Sequence, residues 1–309
     1  MAKTGSSILE ISAQTEAGII QNSEPFLTAT EGPPFSFDQN ANRNKGEALA
    51  ETYQSNAPFP HIVMDNFLPQ NVLRYCLAHF PVEQGALGEN FDRAQERFKA
   101  SYQPDTMEAG TRSLFYAFNS LPFIRFLENL TGIKGLIPDP YFMGAGFHEI
   151  GQGGHLSMHA DFNHHKLMNL ERRINLLIYL NDDWTAENGG QLELWDFEMK
   201  NCIRSVVPKF NRCAVFSTTS TSWHGNPQPV NHPDGKTRRS IALYYYTSTW
   251  DEAKKAKTTD FRPRMGTKDK PDWHVKSNQF YDEYLPPFMA RKLKNLNHRI
   301  AAKKKTAAK

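Results

Sequence analysis

His159 and Asp161 stand at positions i and i+2 in Met158-His159-Ala160-Asp161. In a strand that spacing turns both side chains to one face, so two donors can reach one ion from a rigid support. A His-x-Asp pair proves little by itself in a chain with 11 histidines. Its weight comes from company: His224, far downstream in Ser222-Trp223-His224-Gly225, and the basic pair Arg238-Arg239 that opens a final apolar run. Two imidazoles and one carboxylate on one side of an ion leave three adjacent positions open, the facial arrangement suited to non-haem Fe(II), whereas zinc normally keeps a single open position. The expected metal ligands, and with them the catalytic centre, are His159, Asp161 and His224.

The elements around these residues read as short strands. From Tyr141 onward, runs at 141–150, 155–161, 173–181, 190–195, 202–207, 212–217, 221–224 and 238–248 are separated by turn residues such as Gly189-Gly190, Asn211 and Pro233-Asp234-Gly235. Eight short strands in about 110 residues predict a mainly β fold of two packed sheets, a jelly roll, rather than a parallel α/β sheet. Ahead of them, His61–Met64 reads as a short strand. Helical spacing of Val72, Leu73, Cys76, Leu77 and Phe80 predicts a helix over 70–80, and a second is expected over 121–130. Residues 84–112 are charged and read as an irregular loop. Residues 1–55 are polar and unpatterned and read as a flexible arm, 56–250 as the functional domain with helical support and a core at 141–248, and 251–309 as a basic extension with a helix at 286–300.

These segments together resemble the double-stranded β-helix of the Fe(II)/2-oxoglutarate-dependent dioxygenases, in the prolyl 4-hydroxylase-like branch. The matching text is His159-Ala160-Asp161, Arg173-Ile-Asn-Leu-Leu-Ile-Tyr-Leu-Asn181, Trp184, Gly189-Gly-Gln-Leu-Glu-Leu-Trp195, Phe210-Asn-Arg-Cys-Ala-Val-Phe216, Trp223-His224 and the run from Arg238 to Tyr246. The resemblance implies Fe(II), 2-oxoglutarate as cosubstrate, O₂, and ascorbate as a reductant. It implies hydroxylation of an unactivated C–H bond with release of succinate and CO₂. A prolyl residue in a protein or peptide is the leading substrate, with a free amino acid, a sugar or another small metabolite as the alternative, since a fold says little about the primary substrate. Asp161 argues against the halogenating relatives, which lack that carboxylate.

By the same resemblance Arg238 occupies the position that binds the far carboxylate of 2-oxoglutarate, and Tyr179 the position of a tyrosine that hydrogen-bonds it. A guanidinium suits the task, being a planar fork that stays charged. Alternation on the strand puts Arg238, Ser240 and Ala242 on one face and Arg239, Ile241 and Leu243 on the other, so Ser240 can add a hydroxyl and Arg239 is the weaker candidate. Relatives that sense oxygen carry a further tyrosine on the strand before His-x-Asp. Here Gly146-Phe-His-Glu-Ile150 offers His148 or Glu149, or neither. A jelly-roll binding module with a metal but no turnover remains a rival, although it has no need of a guanidinium beside the ion. A zinc hydrolase lacks a general base at a telling spacing. His155, His164, His165 and His232 lie in polar or turn segments away from the expected metal. The segment Phe162–Leu170 is expected to form one wall of the substrate entrance and to close on binding.

Bulk composition narrows the setting. A chain of 309 residues with 39% apolar content can bury a full core. Its longest apolar run, Ile174–Leu180, contains Asn175 and falls far short of a membrane span. The N-terminus has no apolar h-region, and Cys76, Cys202 and Cys213 are an odd, widely spaced set, so reduced thiols in the cytoplasm are expected. The net charge of +3 hides an asymmetry: residues 251–309 hold 16 Lys/Arg against 7 Asp/Glu. That basic tail has none of the interleaved aromatics that stack nucleic-acid bases and is expected to be solvated.

Overall fold

The β-prone runs become 13 strands in a computed structural model that describes residues 18–85, 88–251, 257–286 and 288–295. They are β1 (His61–Met64), β2 (Glu89–Arg93), β3 (Glu96–Tyr102), β4 (Ile137–Pro138), β5 (Gly146–Ala160), β6 (His164–His165), β7 (Leu170–Tyr179), β8 (Leu192–Trp195), β9 (Cys202–Val206), β10 (Cys213–Ser217), β11 (His224–Asn226), β12 (Arg238–Thr247) and β13 (Asp260–Phe261). One layer runs β1, β10, β7, β12 and the first part of β5; the second part of β5 leads into β11, β8 and β9. The result is the jelly roll that the strand pattern predicts.

β5 belongs to both layers. Gly146–Ile150 pairs with β12, and Leu156–His159 pairs with β11. The strand turns between them at Gly151-Gln152-Gly153-Gly154, where Gly153 has φ +73° and a Cβ on Gly154 would stand 2.6 Å from the Arg97 carbonyl oxygen. Backbone packs on backbone at this corner, which is why it is made of glycine.

β7 shows why its sequence is an almost unbroken apolar run. Ile174, Leu176 and Ile178 join the main core beneath the helices, while Asn175, Leu177 and Tyr179 face the opposite layer. A strand buried on both faces has no polar side to display. The helices are α1 (Gln39–Ala48), α2 (Ala50–Ser55), α3 (Gln70–Ala78), α4 (Ala109–Phe118), α5 (Leu121–Thr131) and α6 (Trp273–Tyr284). α3 buries Val72, Leu73 and Cys76, as its spacing predicts, and α5 stops where Gly132 takes φ +73°. Among the described residues no helix is long and apolar enough to cross a membrane, and Cys76, Cys202 and Cys213 are all free thiols.

Three expectations are corrected. Residues 18–55 are not a flexible arm: Leu27, Phe35, Phe37 and Tyr53 are buried in the main core, and α1 lies against α5 so closely that a Cβ on Gly46 would meet the Phe126 carbonyl oxygen at 2.4 Å. Asp38 starts α1 by accepting a hydrogen bond from the Ala41 N–H at 2.6 Å. Sparse anchors in polar text produce no periodicity, so composition alone misleads there. Residues 84–112 are not an irregular loop either. β2 and β3 form a ribbon that adds to the edge of β5, and its outward side chains are charged, which erases the apolar alternation of a half-buried strand. In the extension, residues 288–295 are helical within the expected 286–300, of which 287 and 296–300 lie outside the described residues, and α6 and β13 precede it. The arm's first 17 residues and the lysine-rich end also lie outside the described residues.

Phe37 rests 4.9 Å from the Phe123 ring and 5.4 Å from that of Phe118. Phe37→Ala should therefore cost about 3–5 kcal/mol in urea unfolding, as for other large core truncations. A loss below about 1 kcal/mol would mean that the segment does not contribute to the fold.

Candidate active site

β11 lies beside β5 with His224 directly opposite His159, so the two imidazoles share a face and their centroids are 4.4 Å apart. Asp161 follows one residue beyond the end of β5. The three side chains offer ligand atoms that all lie within 4.8 Å of one another. Each histidine bonds the carbonyl two residues back through Nδ1, His159 to Ser157 and His224 to Ser222, both at 2.9 Å. A ring whose Nδ1–H donates to a carbonyl has its free lone pair on Nε2. Both Nε2 atoms turn toward Asp161, at 3.5 Å from Oδ1 for His159 and 3.2 Å from Oδ2 for His224.

The electrostatics favour the protonation states that bind a cation. Burial would raise the Asp161 carboxyl, but Arg172, His224 and His159 outweigh it and hold the group well below the usual carboxylate range. Burial and the neighbouring His224 push His159 down, which keeps its imidazole neutral. Asn175 donates to Asp161 Oδ2 at 2.6 Å, and Arg172 Nη2 lies 3.1 Å from the same oxygen. Neither residue was picked out from sequence, although a polar Asn175 inside the apolar run of β7 was a signal that something buried needs an amide.

A cavity of about 170 Å³ opens from the three residues, and Arg238 and Ser240 line its other side. Arg238 is buried; its Nε donates to the Gly190 carbonyl at 2.7 Å and its guanidinium carbon lies 5.0 Å from the Tyr179 ring. It forms no ion pair with a carboxylate among the described residues. Burial pulls its pKa down and Tyr179 only partly opposes this, as expected of a cation stripped of water without a counter-ion. Tyr179 does not line the cavity. It stands behind Arg238, fully buried, with a hydroxyl that has no hydrogen-bond partner.

The facing argument for the two arginines describes their placement. Arg239 turns to the other face, where its Nε donates to Glu149 at 2.9 Å and its guanidinium covers Phe80. Glu149 goes with it, bonded also by Thr237, whereas His148 lines the cavity. The wall nearest the ribbon is made by Arg93, Glu96 and Lys99, and Phe162, Thr259 and Phe261 complete the rim. Phe261 is brought there because β13 pairs with β5 opposite His159, so part of the C-terminal extension joins the site.

The segment after Asp161 is held by strand pairing. Phe162 does line the cavity, but His164 and His165 form β6, paired to the start of β7. His165 is fully buried, accepts the Met168 N–H on Nδ1 at 3.2 Å and stands 3.3 Å from Asp139 Oδ1. His164 stacks on Trp250 at 4.1 Å. These contacts pin the hairpin in the described conformation. His155 and His232 lie off the cavity, on the Ala94 carbonyl and the Trp184 ring respectively.

The chain thus combines a jelly roll, a His-x-Asp…His cluster and a buried arginine across the cavity, and the family model of the 2OG-Fe(II) oxygenase superfamily matches its residues 145–246. Among curated proteins, the mouse (Mus musculus) prolyl 3-hydroxylase OGFOD1 is 24% identical over 211 residues, which are 64% of this chain and 37% of that protein. Its Xenopus laevis counterpart is 27% identical over 79 residues, 24% of this chain and 15% of that one. The match therefore spans well under half the length of these relatives. A Trichoplax adhaerens prolyl hydroxylase, solved with a peptide fragment of the hypoxia inducible factor oxygen degradation domain, shares the fold at a TM-score of 0.52 and 18% identity, over 70% of this chain and 95% of that one.

The pinned hairpin makes a stability prediction. His165→Ala should lose about 2–3 kcal/mol in chemical denaturation, because a fully buried ring leaves a void and the Met168 N–H loses its acceptor, while exposed Lys166→Ala should stay within about 0.5 kcal/mol of the parent. Equal stability for both variants would mean that the segment is mobile after all.

Proposed function

We propose that this chain is an Fe(II)/2-oxoglutarate-dependent dioxygenase that hydroxylates a prolyl residue in a protein or peptide, with His159, Asp161 and His224 as the iron ligands. The observation that carries the reading is Arg238: a buried guanidinium without a carboxylate partner shares a cavity with a two-histidine, one-carboxylate cluster. The donor set fits the ion. Both imidazoles have Nδ1 engaged and Nε2 free, and the carboxylate is held ionised. A metal-binding module without turnover would leave the Arg238 charge unexplained.

When bound, iron, 2-oxoglutarate and O₂ supply the oxidation that yields succinate, CO₂ and a hydroxylated carbon. The chain's own residues bind and orient. Arg238 presents its guanidinium to the far carboxylate of the cosubstrate, with the Ser240 hydroxyl beside it and the unpartnered Tyr179 hydroxyl behind. Phe162 and Phe261 exclude water from the rim, and the ribbon β2–β3 walls the side where a peptide would lie. The catalytic unit in this reading is the jelly roll together with residues 18–55 and 257–272. The choice of a prolyl substrate, attacked at C3, is supported by the likeness to the prolyl 3-hydroxylases of mouse and Xenopus laevis. A cytoplasmic setting accords with three free thiols, and ascorbate would serve as the reductant of the iron.

His159→Ala, Asp161→Ala and His224→Ala should each abolish Fe(II)-dependent succinate release in an assay that presents 2-oxoglutarate with a panel of proline-containing peptides, amino acids and sugars. Near-normal turnover in any one of them would remove that residue from the ligand set. Arg238→Ala should weaken 2-oxoglutarate binding by about 2–4 kcal/mol, the scale for leaving a desolvated charge unpaired, with a far smaller effect from Arg239→Ala. Equal losses at the two positions, read by calorimetry with a redox-inert metal, would reverse the assignment.

A further inference from the structure

The structure assigns a task to two residues that are not metal donors: we propose that Asn175 and Arg172 are positioning residues that reserve one oxygen of Asp161, so that the carboxylate reaches the metal through the other alone. This rests on the ligand set proposed above. Asp161 Oδ2 accepts the Asn175 Nδ2–H at 2.6 Å and is ion-paired with Arg172 Nη2 at 3.1 Å on the side away from the cluster, while His224 Nε2 stands 3.2 Å from the same oxygen. Oδ1 has no such pair of donors and faces His159 Nε2 at 3.5 Å.

The arrangement is held from behind. Arg172 grips Asn175 Oδ1 with Nε at 3.0 Å and Nη2 at 2.7 Å. With its oxygen engaged this way, the amide can only present its N–H₂ side to the carboxylate. Arg172 is itself clamped between rings, with its guanidinium carbon 3.5 Å from the centre of Tyr244 and 4.5 Å from that of Phe162. Arg172 and Asn175 are both 3% exposed, so water does not compete for these bonds.

The consequence concerns coordination number. An octahedral ion held by two imidazoles and one carboxylate oxygen keeps three positions, whereas a chelating carboxylate would leave two. Two-point binding of a 2-oxo acid together with O₂ needs all three. Asn175 and Arg172 thus protect the vacancy that the reaction uses, without contacting any reactant.

The test uses Co(II) as the probe, and binding and visible absorption as readouts. Wild type should bind Co(II), and His224→Ala should lose it. Asn175→Leu and Arg172→Lys should each weaken Co(II) about 10–100-fold, the usual scale for partners of metal ligands, and should change the position or intensity of the d–d band. The thermal midpoint of the metal-free variants, measured alongside, separates a fold defect from this effect. If Asn175→Leu does not fold, Arg172→Lys, which keeps the charge but loses the fork on Asn175, decides the matter. Unchanged affinity and spectrum in the folded variants, with loss in His224→Ala, would overturn the positioning role and leave the ligand set intact. Binding by wild type that neither His224→Ala nor Asp161→Ala weakens would overturn the ligand set, and this proposal with it.

Discussion

One strand has to serve two sheets. β5 carries its first part into the layer of β12 and its second part into the layer of β11, and the glycine corner between them sets the angle. Because of that crossing, His159 at one end of β5 faces a histidine of one sheet, while His148 near the other end pairs in register with Ser240 of the other. The cavity is the space enclosed by the bend. A side chain at Gly154 would push Arg97 and the ribbon away and open the site from behind.

Two buried arginines divide the electrostatic work inside that space. Arg172 sits against a carboxylate and a neutral amide and is compensated; Arg238 has only a carbonyl and an aromatic face. Charges buried in low dielectric are expensive unless paired. The first arginine thus belongs to the protein's own balance, and the second has no carboxylate to balance it among the described residues. The outer-face pair Arg239–Glu149 makes the contrast sharper, since the next residue along the same strand has its partner in place.

The strands and the three clustered donors were legible because they depend on local chemistry: alternation, turn residues and a two-residue spacing. Arg238 against Arg239 was legible for the same reason. What escaped were features decided by neighbours distant in sequence. Asn175 reads as a blemish in an apolar strand until Asp161 is seen beside it. β2 and β3 have no apolar pattern because their stability comes from backbone pairing to β5. Leu27, Phe35 and Phe37 are too few and too scattered to announce that residues 18–55 cover the core. Phe261 lies in polar text, and only its pairing opposite His159 reveals that it closes the rim.

That last strand has a consequence for the order in which the protein is made. Chains are synthesised from the N-terminus, so His159, Asp161 and His224 have all left the ribosome before residues 260–261, and β5 waits with one edge bare beside the donors. Until residues 260–261 are added, nothing in the described fold covers that flank of the cluster. The flank of the pocket beside His159 is therefore the last part of its wall to be supplied.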